Sequence, residues 1–82
     1  MADLMIRVFS IGKSEPDTTI RIPSAMLRIA SKFLPKQVLG ALSEHGIEVD
    51  SIVELSQNPE ALGTIAEIDE HNKGKKIVIA LE

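Results

Sequence analysis

The sequence predicts an α+β fold with the element order ββαα(α)ββ. Apolar and polar residues alternate near both ends of the chain, apolar residues recur at helical spacing in the middle, and single glycines and prolines separate these segments. Strands at the ends and helices between them predict a four-stranded antiparallel sheet with two to three helices packed on one face, because this arrangement hides both apolar surfaces. The length of 82 residues fits a single domain over residues 1–82.

The first two strands are predicted as a hairpin. Residues 4–11 are rich in β-branched and apolar side chains, and the run stops at Gly12. After the loop GKSEPD, residues 18–22 alternate, and Pro23 ends the strand because proline cannot donate a hydrogen bond to a neighbouring strand.

A first helix is predicted over residues 25–34, with Ser24 as its N-cap. Its apolar stripe is wide and consists of Met26, Ile29, Ala30 and Phe33, with Leu27 and Leu34 beside them. A stripe of this width predicts a helix that is covered on more than one side.

A second helix is predicted over residues 35–45, with Pro35 as its first residue and Gly46 as a left-handed stop. Its core side is predicted to be Val38, Ala41 and Leu42. A short third helix, capped by Asp50 and ending near residue 57, is favoured over a short strand. Residues 64–70 and 76–81 then predict a second hairpin.

The two-residue period of a strand predicts a second apolar surface. The residues predicted to face the helices are Ile6, Val8, Ile20, Ile22, Ile77 and Ile79. The predicted interaction face on the other side comprises Met5, Arg7, Phe9, Ile11, Arg21, Val78 and Ala80, with Thr19 beside them. A contiguous apolar patch of this kind commonly marks an association surface, whereas a different register would scatter these residues.

Composition narrows the classes of function. Cysteine is absent, which excludes disulfides and thiol chemistry and fits a cytoplasmic protein. No apolar run reaches the ~18 residues of a membrane span. Residues 37–72 carry eight acidic and no basic residues, so nucleic-acid binding is disfavoured. Membrane contact is not expected, or is at most peripheral. Arg28, Lys32 and Lys36 could meet an anionic surface, but solvation of a helix face explains them as well, and the neighbouring apolar stripe is needed for the core.

No residues form a recognisable catalytic, metal or cofactor site. Glu67, Asp69, Glu70 and His71 are the nearest approach to a metal site, but they lead into a predicted turn where solvated polar residues are expected. His45 is better explained as a residue at a helix C-terminus. The serines lack a GxSxG motif, so we predict no catalytic residue, no cofactor and no enzymatic activity.

Several segments together resemble a bacterial family. They are RIP at residues 21–23, KFLP at residues 32–35, GIEVDSIVEL from Gly46, and the closing GTIAEIDEHNKGKKIVIAL. The chain resembles a small module of YvlB- and LiaX-like proteins that follows a helical segment related to SHOCT domains. The resemblance implies association with envelope-stress regulators and adhesin-like β domains, and it implies no active-site residue.

Two hypotheses follow. The leading one is a noncatalytic module that binds a protein partner or forms a homodimer through the predicted interaction face. The alternative is a small-ligand or anion sensor that uses Arg7 and Arg21 on the same face. The last two residues, Leu81 and Glu82, are compatible with a vector-derived remnant.

Overall fold

The computed structural model describes residues 2–58 and 60–82. Its elements are β1 (Leu4–Ser10), β2 (Thr18–Ile22), a 3₁₀ helix (Ser24–Lys32), α1 (Lys36–Glu44), α2 (Val49–Ser56), β3 (Gly63–Glu70), a 3₁₀ turn (His71–Lys73) and β4 (Lys75–Leu81). The four strands form one antiparallel sheet in the order β2-β1-β4-β3. The predicted α+β fold class is therefore confirmed, and the strand order adds that the first and last strands are the two central ones.

The core lies between one face of the sheet and the helices. The strands contribute Leu4, Ile6, Val8, Ile22, Ile68, Ile77, Ile79 and Leu81, and the helices contribute Leu27, Ala30, Leu34, Val38, Ala41, Leu42 and Ile52. Ile20 is half-buried and packs against this cluster. The predicted inward-facing residues of the sheet are thus confirmed. Leu81 is only 1% exposed, so it is part of the core whatever its origin.

The first helix differs from the prediction in type and in its buried side. It is a 3₁₀ helix with a kink at Ile29, where φ is −116° and ψ is 27°. Leu27, Ala30 and Leu34 are buried. The other predicted core residues of this helix are partly uncovered, with exposures of 37% for Met26, 39% for Ile29 and 47% for Phe33. The prediction assumed an α-helical period throughout, which the three-residue turns and the kink break.

The predicted N-cap at Ser24 is also wrong. Ser24 is the first residue of the 3₁₀ helix, and Pro23 occupies the cap position without a side-chain hydrogen bond. The backbone N–H of Ser24 instead donates to Oδ1 of Asp3 at 3.0 Å. A carboxylate from the residue before β1 therefore satisfies a free N–H at the start of this helix.

The two α-helices lie close to their predicted positions. α1 buries Val38, Ala41 and Leu42 as predicted, and Gly46 has the expected left-handed conformation with φ of 70°. Pro35 precedes the helix as its N-cap residue and is not its first residue. α2 begins before the predicted cap, so Asp50 lies in its first turn, where a negative charge interacts favourably with the helix dipole.

Candidate functional site

The face of the sheet opposite the helices, here called the open face, carries the predicted interaction residues. Met5 pairs with Arg21 on one side and with Ala80 on the other, and Arg7 pairs with Val78. Phe9 lies one step further along β1, opposite Lys76. The register thus places these predicted residues on adjacent strands of a single face.

The predicted residues differ in how much surface they offer. Met5, Phe9 and Val78 are half-buried. Ile11 lies just after β1 and is 56% exposed, and its backbone N–H donates to the carbonyl oxygen of Gly74 at 3.0 Å. Ala80 is only 3% exposed. It lies on the open face but contributes almost no area to a contact.

A solvent-filled groove of about 660 Å³ runs over one end of the open face. Its apolar residues are Phe9, Ile11 and Val78. The other lining residues are polar, charged or glycine, and they are Arg7, Ser10, Gly12, Lys13, Ser14, Glu67, Asp69, His71 and Lys76. The groove combines an apolar strip with charges of both signs, as protein-binding surfaces commonly do.

The loop that borders this groove is held by hydrogen bonds and ion pairs. Asp17 accepts a hydrogen bond from the hydroxyl of Ser10, and its Oδ2 lies 3.1 Å from Nζ of Lys75. The backbone N–H of Asp17 donates to the carbonyl oxygen of Val8 at 2.7 Å. The hydrogen bond from Ser10, followed by that from Lys75, lowers the pKa of Asp17. The loop is therefore fixed to both central strands.

Nearly the whole chain matches a known protein family. The family model described as "YvlB-like protein, C-terminal domain" matches residues 3–80. The chain belongs to this family. The matched stretch of this YvlB-like domain contains every residue that lines the groove. No curated protein and no solved structure shows significant similarity to the chain.

Both arginines of the predicted face are paired within this YvlB-like domain. Nη1 of Arg7 lies 2.6 Å from Oε2 of Glu82, and this hydrogen bond raises the pKa of Arg7 and lowers that of Glu82. Nε of Arg21 donates to Oδ2 of Asp3 at 2.8 Å. An anion would share either arginine with the carboxylate that the arginine already contacts, so this geometry gives the anion-sensing alternative no direct support.

The acidic cluster is divided between the two faces of the sheet. Glu67 and Asp69 line the groove, whereas Glu70 points to the helical side, where its side chain is 4% exposed and lies 3.4 Å from Nζ of Lys73. Within residues 2–58 and 60–82, no three His, Asp or Glu side chains lie close enough together to hold a metal ion. These residues are close together in sequence, but successive side chains of β3 point to opposite faces of the sheet and are therefore separated.

The predicted interaction face contained four of the twelve residues that line the groove. Glu67, Asp69 and Lys76 could have been assigned to the open face from the strand period alone, since they share it with Val78. Lys13, Ser14 and His71 could not, because they lie in the two connections that border the groove.

Of the helices that the structure describes, none has the length and apolar composition needed to cross a membrane.

Proposed function

We propose that this domain is a noncatalytic association module whose open face binds the same face of a second copy. The observation that carries the proposal is the groove, where the exposed Ile11 and the half-buried Phe9 and Val78 offer apolar surface to a partner. Apolar side chains grouped in this way gain free energy when a partner removes them from water. The association with envelope-stress regulators that the family resemblance implies also fits a domain that acts through contacts.

The distribution of charge favours a second copy as the partner. Arg21 lies on the outer strand β2 and Lys13 in the loop that precedes it, whereas Glu67 and Asp69 lie on the opposite outer strand β3. In a two-fold dimer whose axis runs along the strands, β2 of one copy lies over β3 of its partner. The edge that carries Arg21 and Lys13, which are paired with Asp3 and Asp17 in their own chain, then lies over the acidic edge of the other copy. A two-fold interface forms both sets of contacts at once.

The hydrogen bonds in the groove support a noncatalytic role. Ser10 is engaged with Asp17 and Lys75. Among the residues that the structure describes, no hydrogen bond joins a serine to His71, although both line the groove. An activated nucleophile requires a base within hydrogen-bonding reach, so the groove lacks the usual arrangement for nucleophilic catalysis.

Sedimentation equilibrium over a wide range of protein concentration tests this proposal. We expect a monomer–dimer equilibrium that Phe9→Asp shifts towards the monomer by at least tenfold, because the new carboxylate would be buried against an apolar surface. Leu62→Asp is the matched control, since Leu62 is 67% exposed and does not line the groove. A wild-type chain that stays monomeric at every concentration would contradict the proposal. So would a Leu62→Asp control that weakens the dimer as much as Phe9→Asp does.

A further inference from the structure

A second exposed surface lies on the helical layer, away from the open face. Its exposed residues lie close together in sequence, from the 3₁₀ helix to the first residue of α1, and are here called the basic apolar patch: Met26, Ile29 and Phe33 with the basic residues Arg28, Lys32 and Lys36. Between 37% and 47% of each of the three apolar residues is exposed. A large part of the apolar stripe that the sequence predicted to be buried is therefore exposed.

The positive charges of this patch are not neutralised by the domain itself. In the described part of the chain, six of the nine Lys and Arg side chains lie within 4.0 Å of a carboxylate oxygen. The other three are Arg28, Lys32 and Lys36. Residues 18–43 also contain no Asp or Glu. The unpaired cations of a chain with net charge −3 are thus concentrated beside its exposed apolar side chains.

Part of the patch adjoins an outer strand of the sheet. Met26 and Phe33 line a shallow hollow of about 270 Å³ with Arg21, Ile22 and Pro23. Arg21 and Ile22 belong to β2, which is the outermost strand on this side of the sheet. The hollow shares no residue with the groove of the open face, and Arg21 lies between the two surfaces.

We propose that the basic apolar patch binds the surface of an anionic lipid bilayer. Phe33, Met26 and Ile29 enter the boundary between headgroups and acyl chains, while the three cations contact anionic headgroups. The absence of acidic residues from this segment favours such a surface, because a bilayer presents one sign of charge over a wide area. A specific protein partner would more commonly be matched by charges of both signs, as on the open face.

Flotation with lipid vesicles tests this proposal on the intact chain. We expect binding to vesicles of phosphatidylcholine with 30% phosphatidylserine, at least tenfold weaker binding to pure phosphatidylcholine, and loss of most binding in 0.5 M salt. Phe33→Gln should weaken binding about tenfold, and Lys32→Gln about fivefold. Lys32→Gln serves as a second variant because Lys32 is exposed and unpaired, so its loss should leave the fold intact.

Two control variants separate this patch from general effects. Leu55→Gln removes an exposed apolar side chain on α2, and Lys73→Gln removes an exposed cation that lines neither the groove nor the hollow; both should bind vesicles as the wild-type chain does. Failure to bind anionic vesicles, equal binding to neutral ones, or equal losses in the controls would overturn the proposal. So would a Phe33→Gln variant that alters the oligomeric state without affecting vesicle binding, because the patch would then be a protein interface.

Discussion

The carboxylate of Asp3 connects Arg21 to the start of the helical layer. It accepts hydrogen bonds from Nε of Arg21 at 2.8 Å and from the backbone N–H of Ser24 at 3.0 Å. These two donors lie on either side of the turn at Pro23, where the chain leaves the sheet. One side chain thus fixes the angle between the outer strand and the first helix.

Asp3→Asn should therefore reduce stability in a pH-dependent way. The hydrogen bond from Arg21, followed by that from Ser24, lowers the pKa of Asp3 below its usual value of 3.8. The folded state binds this proton less readily than the unfolded state. The ionised carboxylate therefore contributes fully to the free energy of unfolding above pH 3.8, and this contribution is lost as pH falls through the lower folded-state pKa. Asp3→Asn should lower the urea midpoint at pH 7, and its deficit relative to the wild-type chain should be smaller at pH 2.5, below the unfolded-state pKa.

The control for this prediction is Glu15→Gln. Glu15 is an exposed carboxylate in the first loop, and it forms no ion pair among the described residues. Its urea midpoints should match those of the wild-type chain at both pH values. An Asp3→Asn variant that loses equal stability at pH 7 and pH 2.5 would refute the role assigned to the ionised carboxylate.

Truncation of Ile79 should test the centre of the core. Ile79 is 0% exposed and lies on the central strand β4. Ile79→Ala should cost about 2–5 kcal/mol in the free energy of unfolding, because it removes three buried carbon atoms and leaves a cavity. Ile11→Ala, at a residue 56% exposed, should cost less than about 0.5 kcal/mol in urea denaturation of the dilute protein. Similar costs for the two substitutions would contradict this description of the core.

Two glycines should respond to alanine with opposite signs. Gly46 has φ of 70°, so Gly46→Ala should lower the free energy of unfolding by about 1 kcal/mol through backbone strain. Gly40 lies inside α1, and an added Cβ would meet no atom within 4 Å. Gly40→Ala should therefore raise the free energy of unfolding by about 0.5–1 kcal/mol, because alanine loses less backbone entropy in a helix. Thermal and urea denaturation of both variants test this prediction. A change in the free energy of unfolding with the same sign in both variants would contradict the explanation.

Glu70 should be replaceable by an apolar residue. Its Oε1 is buried and finds no hydrogen-bond partner among the described residues. The side chain of Lys73, its partner in an ion pair, is 55% exposed. Glu70→Met should leave stability unchanged or raise it by about 1 kcal/mol, because the cost of burying the charge disappears. Lys73→Met should lower it by about 1 kcal/mol, since the carboxylate then loses its counter-ion. Urea denaturation distinguishes the two, and a large loss for Glu70→Met would contradict the argument.

The strands and their two faces were predictable from the sequence, whereas the details of the helical layer were not. Alternation is a local signal, so it correctly placed Met5, Arg7 and Phe9 opposite the core. The 3₁₀ helix was misassigned because its kink at Ile29 depends on how the chain leaves β2 and packs against α2. The anchoring of Ser24 by Asp3 joins residues far apart in sequence, and no local pattern encodes such a contact.

Only part of the groove was predictable, again because a local pattern does not encode contacts between distant segments. Phe9 and Val78 follow from the strand period, but Lys13 and His71 reach the groove only because β1 and β4 are neighbours. That adjacency is a property of strand order, which the hydrophobic pattern leaves open. The basic apolar patch was missed because a stripe of apolar residues was assumed to be entirely buried.

The adjacency of β1 and β4 also determines when this sheet can form. Leu4 pairs with Leu81, and Asp3 and Glu82 exchange backbone hydrogen bonds at 2.7 and 2.9 Å. Each outer strand reaches its central partner through a short connection, but the two central strands meet only after nearly the whole chain has closed into a loop. Contacts so distant in sequence slow folding, because the entropy of loop closure is lost before they form. During synthesis, the inner edge of β1 must therefore wait for the last strand before its backbone groups are paired.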